Sequence, residues 1–284
     1  MTRRPIGSRP GRWSSLCLLL TLLAATAEAQ ETRPRILLVN DDGIESEGIA
    51  TMAAALRAFA DVVVVAPDGN RSGSSQSSTI RRIRAEVKPV YRDGELFGYG
   101  LNATPADAAE FGLLHFGVER PFDLVVSGIN AGANTGDVAH SSGTVGAALE
   151  AVGYGVPAVA TSQGGGQDYG LTARITVDIV RRVLRDGLPP GVVLSLNVPG
   201  GELRGIVSRR MGGTYFGVEA FEEIASSPDS TSYRARQRGA VLGGDDTDTA
   251  AYMDGYATIT PIRFDWTDEE TLRTLGGWNL TLDP

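Results

Sequence analysis

Cysteine and histidine are almost absent from the 284-residue chain, which has one cysteine, Cys17, and two histidines, His115 and His140. A single cysteine forms no intramolecular disulfide, and the usual zinc sites, built from clustered cysteine and histidine, are excluded. Any metal is therefore expected to be held by oxygen. No apolar run approaches the roughly 20 residues of a membrane helix, and no internal repeat or low-complexity tract is present. No Gly-Lys-Ser/Thr follows a glycine run, which argues against NTP cleavage of the Walker type. What remains is ordinary globular composition, 42% hydrophobic and 21% charged, enough for one large domain or two small ones.

The first 29 residues differ from the rest: Arg3, Arg4, Arg9 and Arg12 precede an apolar run from Leu16 to Ala25, and Ala27-Glu28-Ala29 offers a small-residue cleavage site before Gln30. This is the pattern of a secretory signal peptide, so a periplasmic or secreted protein with no membrane attachment after cleavage is expected. The alternatives are an uncleaved anchor or a start codon placed too early, the latter giving a cytoplasmic protein. Arg3-Arg4 is a twin arginine, compatible with export of a folded, metal-loaded protein, although its surroundings fit that signal poorly. Loss of this segment removes Cys17 and takes the net charge from −8 to −11. So acidic a surface repels polyanions, and no stable nucleic-acid partner is expected; Arg81, Arg82 and Arg84 read as a solvated face.

Beyond residue 30 the chain alternates. Arg35 to Asn40 reads as a strand closed by Asp41-Asp42-Gly43, and Ile49, Met52, Ala53, Leu56 and Phe59 follow at helical spacing. The four-valine run from Val62 to Ala66 suits a strand buried on both faces of a parallel sheet. Residues 81–101 suggest a hairpin turning at Gly94. Thr104-Pro105-Ala106-Asp107 is a helix start, with His115 packed near the core further along. A strand from Phe122 to Val126 leads into a glycine-rich loop, Ser127 to Gly136, followed by a helix from Thr144 to Val152, a strand from Val156 to Thr161, a helix from Leu171 to Leu184 and a strand from Val192 to Asn197. This is the order of an α/β protein with a Rossmann-like, doubly wound, mostly parallel sheet. From residue 201 the alternation stops, apart from a β-rich stretch at Tyr256 to Ile262. The division expected is a leader (1–29), a catalytic core (30–200) and a C-terminal region of hairpins and arms (201–284) that serves oligomerisation.

In an open parallel sheet the ligand crevice lies beyond the carboxyl ends of the strands. Three loops reach it: Asp41-Asp42, Asn70-Arg71-Ser72-Gly73 and Ser127 to Asn130. Adjacent carboxylates repel, and a divalent cation relieves that repulsion most directly. With the Ser72 hydroxyl and the Asn130 amide oxygen they form a hard-oxygen set suited to Mg²⁺ or Mn²⁺. The hydroxyl-rich segments Gly73 to Thr79 and Ser141-Ser142-Gly143-Thr144 supply an anion pocket, the second at a helix N-terminus. His140 stands close enough to the second to be considered for protonating a leaving ribose oxygen.

The motifs Ile36 to Gly43, Ala66 to Gly73 with Asn70, Ser127 to Asn134 and Ser142-Gly-Thr-Val resemble those of the SurE family of survival-protein nucleotidases, and Thr104-Pro105-x-Asp107, Asp246-Thr247-Asp248 and Gly255 to Pro261 extend the resemblance in order along the chain. The resemblance implies a metal-dependent phosphatase acting on nucleoside 5′- and 3′-monophosphates. It also implies one divalent ion per subunit on Asp41, Asp42, Ser72 and Asn130, and C-terminal arms exchanged in a homodimer or homotetramer. Asn70, Ser142, Gly143 and Thr144 are expected to bind substrate, and Asp41 or Asp42 to serve the attacking water. Where the family usually has tyrosine before Ser-Gly-Thr, this chain has Ser141 after His140. Three rival chemistries remain open at this point: attack by Asp41 itself to give an aspartyl phosphate, a periplasmic nucleotide- or phosphate-binding protein without catalysis, and a nucleoside hydrolase.

Overall fold

The computed structural model describes residues 33–214 and 216–278. The expected leader, residues 1–29 with Cys17, lies outside the described residues. In chain order the elements are β1 (Arg35–Val39), α1 (Glu47–Arg57), β2 (Asp61–Pro67), β3 (Val87–Arg92), β4 (Glu95–Leu101), α2 (Pro105–Phe111), β5 (Leu124–Ala131), α3 (Gly143–Gly153), β6 (Ala158–Gln163), α4 (Gly170–Asp186), β7 (Val192–Val198), β8 (Gly205–Ser208), β9 (Gly217–Ser226), β10 (Thr231–Arg238), α5 (Asp248–Met253), β11 (Tyr256–Arg263) and α6 (Glu269–Gly276).

Nine strands form one sheet in the order β3-β4-β2-β1-β5-β6-β7-β11-β8. The stretch from β4 to β7 is parallel throughout, with β3 and β11 running antiparallel to their neighbours β4 and β7. Strand β1 shows why the sheet is buried on both sides. Ile36 and Leu38 pack with Ile49, Met52 and Leu56 of α1 and Ile179 and Val183 of α4, whereas Leu37 and Val39 pack with Ala108 of α2 and Val145 and Leu149 of α3. Alternate side chains of a strand point to opposite faces, so an unbroken apolar run needs a helix layer on each. Each such leucine or isoleucine, fully buried, contributes about 1.5–3 kcal/mol.

The chain winds outward from β1 to β2 and β4, then returns to β1's other edge as β5. The strand order therefore reverses between β1 and β5, which places the ligand crevice beyond their carboxyl ends. Helix α1 reaches this crevice closely because residue 48 is glycine: a Cβ on Gly48 would lie 2.0 Å from the Ile129 carbonyl oxygen.

Several expected boundaries shift. β5 does not end at Val126 but continues as strand through Ala131, with a register irregularity between Ser127 and Asn130, because Asn130 and Ala131 still pair with Ser162 and Gln163 of β6. β6 starts only after Pro157, which has no N–H to give to a ladder. His115 is not packed in the core: a π-helical turn at Gly112–Phe116 carries it to the surface, its ring stacked on Phe111. The hairpin expected in 81–101 forms, with Gly94 at φ +83° in its turn, and its second strand joins the main sheet beside β2. After residue 200, β8 and β11 extend the main sheet, while β9 and β10 form a separate, almost wholly exposed two-stranded ribbon.

Candidate active site

The turn after β1 carries the two adjacent carboxylates and is built by Asn40. Its fully buried side chain accepts from the Gly43 N–H (3.2 Å) and donates to the Gly43 carbonyl (3.0 Å) and the Ser46 hydroxyl (2.8 Å). Gly43 takes φ +101°, a conformation that favours glycine. Asp41 and Asp42 are thereby held at the mouth of the crevice between β1 and β5.

Asp41 is 2% exposed. Its Oδ1 accepts a 2.5 Å hydrogen bond from the Thr144 hydroxyl, and its backbone carbonyl accepts from the Arg71 N–H at 2.7 Å. Burial pushes its carboxyl up to about 6; the Thr144 hydroxyl opposes this and the neighbouring Asp42 adds to it. Asp42 is half-buried, with Oδ2 accepting from the Ala131 N–H (2.9 Å) and Oδ1 from the Asn70 amide (3.4 Å). Its carboxyl is also raised, by burial, against the pull of the Ala131 N–H. No arginine, lysine or histidine forms an ion pair with either carboxylate among the described residues. Two carboxylates left without a cation in a partly desolvated place are a standing electrostatic cost.

The start of α3 is pressed directly on Asp41. A Cβ on Gly143 would lie 2.8 Å from both the Asp41 Cβ and the Ser74 hydroxyl, so only glycine permits this approach. Ser142 caps the helix, its hydroxyl accepting from the Val145 N–H at 3.1 Å. The Ser/Thr loop is fastened alongside: Ser75 donates its N–H to the Ser141 carbonyl (3.1 Å) and its hydroxyl to the His140 carbonyl (2.7 Å). Asp107 holds the far end of this loop, accepting from the Ser78 hydroxyl (2.7 Å) and from the Thr79 N–H and hydroxyl (both 2.9 Å) while completing the capping box with Thr104. Burial alone would raise the Asp107 carboxyl, but these donors outweigh it and hold it below the usual carboxylate range. Ser74 Oγ is buried beside Asp41 and Gly143 without a hydrogen-bond partner among the described residues.

Asp41, Asp42, Asn70, Ser142, Gly143 and Thr144 are thus gathered at one place by the contacts above. Asn130 precedes Ala131, the last residue of β5, whose N–H reaches Asp42; its amide nitrogen donates to the Gly132 carbonyl (2.7 Å), which leaves the amide oxygen as its free end. Ser72 is exposed on the loop pinned to Asp41, its N–H donating to the Asn70 side chain (3.0 Å) and its hydroxyl making no hydrogen bond among the described residues. His140 touches neither aspartate; its exposed ring meets Trp266 edge to face. Among the described residues no three His, Cys, Asp or Glu side chains cluster as a metal site, so an ion here would depend on two carboxylates and neutral oxygens. A cleft of about 460 Å³ opens beside Asp42, lined by Ser46, Glu47, Gly48, Ala131, Gln167 and Tyr169.

The family profile described as "Survival protein SurE" matches residues 36–217. The chain belongs to the SurE family. Among its relatives are the 5′-nucleotidase SurE of Syntrophobacter fumaroxidans, 39% identical over 87% of this chain and 100% of the relative, and the 5′/3′-nucleotidase SurE of Escherichia fergusonii, 38% identical over 86% and 96%. The crystal structure of the SurE protein from Aquifex aeolicus superposes with a TM-score of 0.73 at 33% identity, covering 86% of this chain and 99% of that one. Ser141, the departure noted in the sequence, is exposed and donates its hydroxyl to the Val138 carbonyl (3.0 Å), closing the 3₁₀ turn that leads into α3.

Glu47 and Tyr169 escaped the sequence reading, and Asp248 entered it only within the motif Asp246-Thr247-Asp248, without a role. Asp248, 2% exposed, accepts from the N–H groups of Gly136 (3.0 Å), Gly212 (2.7 Å) and Thr249 (2.7 Å), and so anchors the loop ahead of α3 to the C-terminal region. Glu47 and Tyr169 line the cleft from α1 and from the start of α4. An acidic residue in a first helical turn is explained by the helix dipole alone, and a lone tyrosine before a helix carries no signal.

The raised Asp41 carboxyl has a consequence for stability. Its folded value of about 6 lies above the ordinary 3.8, so between these the native state binds more protons than the unfolded chain. In metal-free protein this group's contribution therefore falls as pH rises from about 4 to about 6 and stays low above, by about 3 kcal/mol in all. Asp41→Asn keeps an acceptor for Thr144 and removes the charge. Thermal denaturation in EDTA is expected to give a more stable Asp41→Asn protein at pH 7.5 and an equal one at pH 4; equal stability at both would contradict the electrostatic reading of this residue.

Proposed function

We propose that the chain is a divalent-metal-dependent phosphomonoesterase that hydrolyses nucleoside 5′- and 3′-monophosphates to nucleoside and phosphate. The observation that carries the reading is the buried Asp41 carboxylate, paired with Asp42, lying against the N-terminus of α3 without a counter-charge among the described residues. The names of the relatives, 5′-nucleotidase and 5′/3′-nucleotidase, supply the substrate class. The donor set fits a hard divalent ion: two carboxylates raised by burial, the free amide oxygen of Asn130 and the unengaged hydroxyl of Ser72. We assign one such ion per subunit, Mg²⁺ or Mn²⁺, to Asp41, Asp42, Ser72 and Asn130. When bound, it supplies Lewis acidity at the phosphoryl group.

The protein's own groups account for orientation and proton movement. The first N–H groups of α3 have no intrahelical carbonyl, and together with the helix dipole they favour a phosphoryl group at Gly143 and Thr144. Ser142 keeps that end open by capping the N–H further along, and Asn70 is tethered to Asp42. A water oxygen forms a new bond to phosphorus as the bond to the ribose oxygen breaks. One water proton passes to the carboxylate of Asp41 or Asp42 and from there to the departing ribose oxygen. Thr144 on Oδ1 fixes the Asp41 carboxylate, so its other oxygen is the one available for that transfer.

We also propose assembly through the C-terminal region, as a homodimer or homotetramer. The β9–β10 ribbon, α6 and the residues just after it expose Phe221 (69%), Tyr233 (58%), Leu272 (53%) and Trp278 (61%), and α6 has no buried residue at all. Apolar groups so placed on narrow elements are typical of surfaces covered in an oligomer. Light scattering coupled to size exclusion is expected to return a multiple of the chain mass; a monomer at micromolar concentration would overturn the assignment.

Phosphate release from AMP, 3′-AMP and p-nitrophenyl phosphate, measured with EDTA and then with Mg²⁺ or Mn²⁺, tests the activity. Release is expected to vanish in EDTA, return with metal, and drop by about 100-fold or more in Asp42→Asn, the scale of a lost acid–base or positioning group. A folded protein that releases phosphate with no metal ion would refute the proposal.

A further inference from the structure

We propose that Asp248 is a positioning residue of the reaction: from the C-terminal region it sets where the N-terminus of α3 stands against Asp41, and so where the phosphoryl group is held. This role rests on the phosphoryl site proposed at Gly143 and Thr144 and deepens that reading.

The segment from Asn130 to Ser142 joins the two halves of the site, the proposed metal ligand at one end and the start of α3 at the other. Its alternate N–H groups are each accepted: Gly132 by the Gln163 carbonyl (2.8 Å), Asn134 by the Asn197 side chain (2.6 Å) and Gly136 by the Asp248 carboxylate (3.0 Å). Only the first of these acceptors is backbone. The other two are side chains, from β7 and α5, and without them the N–H groups of two buried residues would go unpaired. From Gly136 a 3₁₀ turn, Gly136–Ser141, runs directly into Ser142, the N-cap of α3, so the placement of Gly136 is passed on to Ser142. Two residues further, the Thr144 hydroxyl is bonded to Asp41.

Asp248 is suited to fix that point. It is buried and forms no ion pair among the described residues, so hydrogen-bond donors alone satisfy it. Its Oδ1 accepts from the N–H groups of Gly212 and Thr249 (both 2.7 Å), and its Oδ2 from the Gly136 N–H (3.0 Å) and the Thr260 hydroxyl (3.2 Å). Donors crowding both oxygens require a carboxylate, because an amide would turn its own N–H groups toward one side. All of these donors except Gly136 belong to the C-terminal region, so the Gly136 bond is the one that ties that region to the site. Contact at the joint is close: a Cβ on Gly136, at φ +59°, would lie 1.6 Å from the Gly213 carbonyl oxygen, which itself accepts from the Thr249 hydroxyl at 2.8 Å.

Asp248→Asn separates this bond from the others. With the amide oxygen kept toward Gly212 and Thr249, the amide nitrogen faces Gly136 and Thr260. A hydroxyl can turn and accept, whereas a backbone N–H cannot, so the link to Gly136 is the one lost. Thr260→Val instead removes a donor from the same carboxylate and leaves Gly136 bonded to it. Both variants disturb Asp248 and only the first cuts its connection to the site.

The test measures kcat and KM for AMP and p-nitrophenyl phosphate, and calorimetric binding of inorganic phosphate to the Mn²⁺-loaded protein, in the wild type, Asp248→Asn and Thr260→Val, with thermal denaturation to establish that each is folded. Asp248→Asn is expected to lose about tenfold or more in kcat/KM and in phosphate affinity, and Thr260→Val to stay within about twofold of the wild type, since a misplacement of about 1 Å at a reacting group costs about a hundredfold. The loss should be the same for both esters, because the phosphoryl end is what they share. Asn197→Ala, which frees the Asn134 N–H, should show the same signature and carries the test if Asp248→Asn does not fold. Unchanged kcat/KM and phosphate affinity in the folded variants, or an equal loss in Asp248→Asn and Thr260→Val, would overturn the positioning role and leave the nucleotidase reading intact. Phosphate binding weakened by Asp248→Asn and not by Thr260→Val, beside a wild type that hydrolyses neither ester, would support the positioning role and overturn that reading instead.

Discussion

A buried carboxylate with no cation beside it among the described residues is the constraint around which this structure is organised. Asp41 sits at the end of β1 with 2% of its surface exposed, beside a second carboxylate and in contact with the start of α3. An apolar replacement would serve folding better, since burying a charge without a partner is costly. The local architecture offsets part of that cost through the Thr144 hydroxyl, the orientation of α3 and the Ala131 N–H on Asp42. In the function proposed above, the remainder is what a divalent ion would relieve.

The supporting structure serves this placement by close approach and by anchoring. Glycine at 143 lets α3 touch Asp41, and glycine at 48 lets α1 reach the end of β5. Two further carboxylates, Asp107 and Asp248, work away from the reacting centre, one tying the hydroxyl loop to α2 and the other tying the segment before α3 to the C-terminal region. Asp107 and Asp248 are each satisfied by several N–H and hydroxyl donors, whereas Asp41 and Asp42, with fewer donors, are the pair to which the metal site is proposed to belong. The C-terminal ribbon and helix stand outside this frame, exposing aromatic side chains that contribute nothing to the subunit's own core.

Much of the α/β core was readable because its signals are local: the apolar run of β1, the four valines of β2 and the Thr104-Pro105 helix start each specify an element without reference to the rest of the chain. Asp41, Asp42 and Asn130 were readable because they end strands, and strand ends meet at a sheet's crevice. What escaped depends on tertiary placement. β5 persists through the glycine-rich segment because β6 pairs with it, and β11 returns to the sheet beside β7 from sixty residues further along the chain. Glu47 of α1 and Tyr169 at the start of α4 line one cleft with Asp42, a proximity that no spacing in the sequence encodes.

Proton release on metal binding tests the role of the buried pair most directly. Calorimetric titration of Mn²⁺ into metal-free protein at pH 5.5, in two buffers of different ionisation enthalpy, counts the protons displaced per ion bound. With the Asp41 carboxyl held up to about 6, a substantial fraction of one proton is expected per ion at this pH and almost none at pH 7.5. Binding of comparable strength at both pH values with no proton released at either, or unchanged in Asp41→Asn, would contradict the assignment of this carboxylate as the core of the metal site.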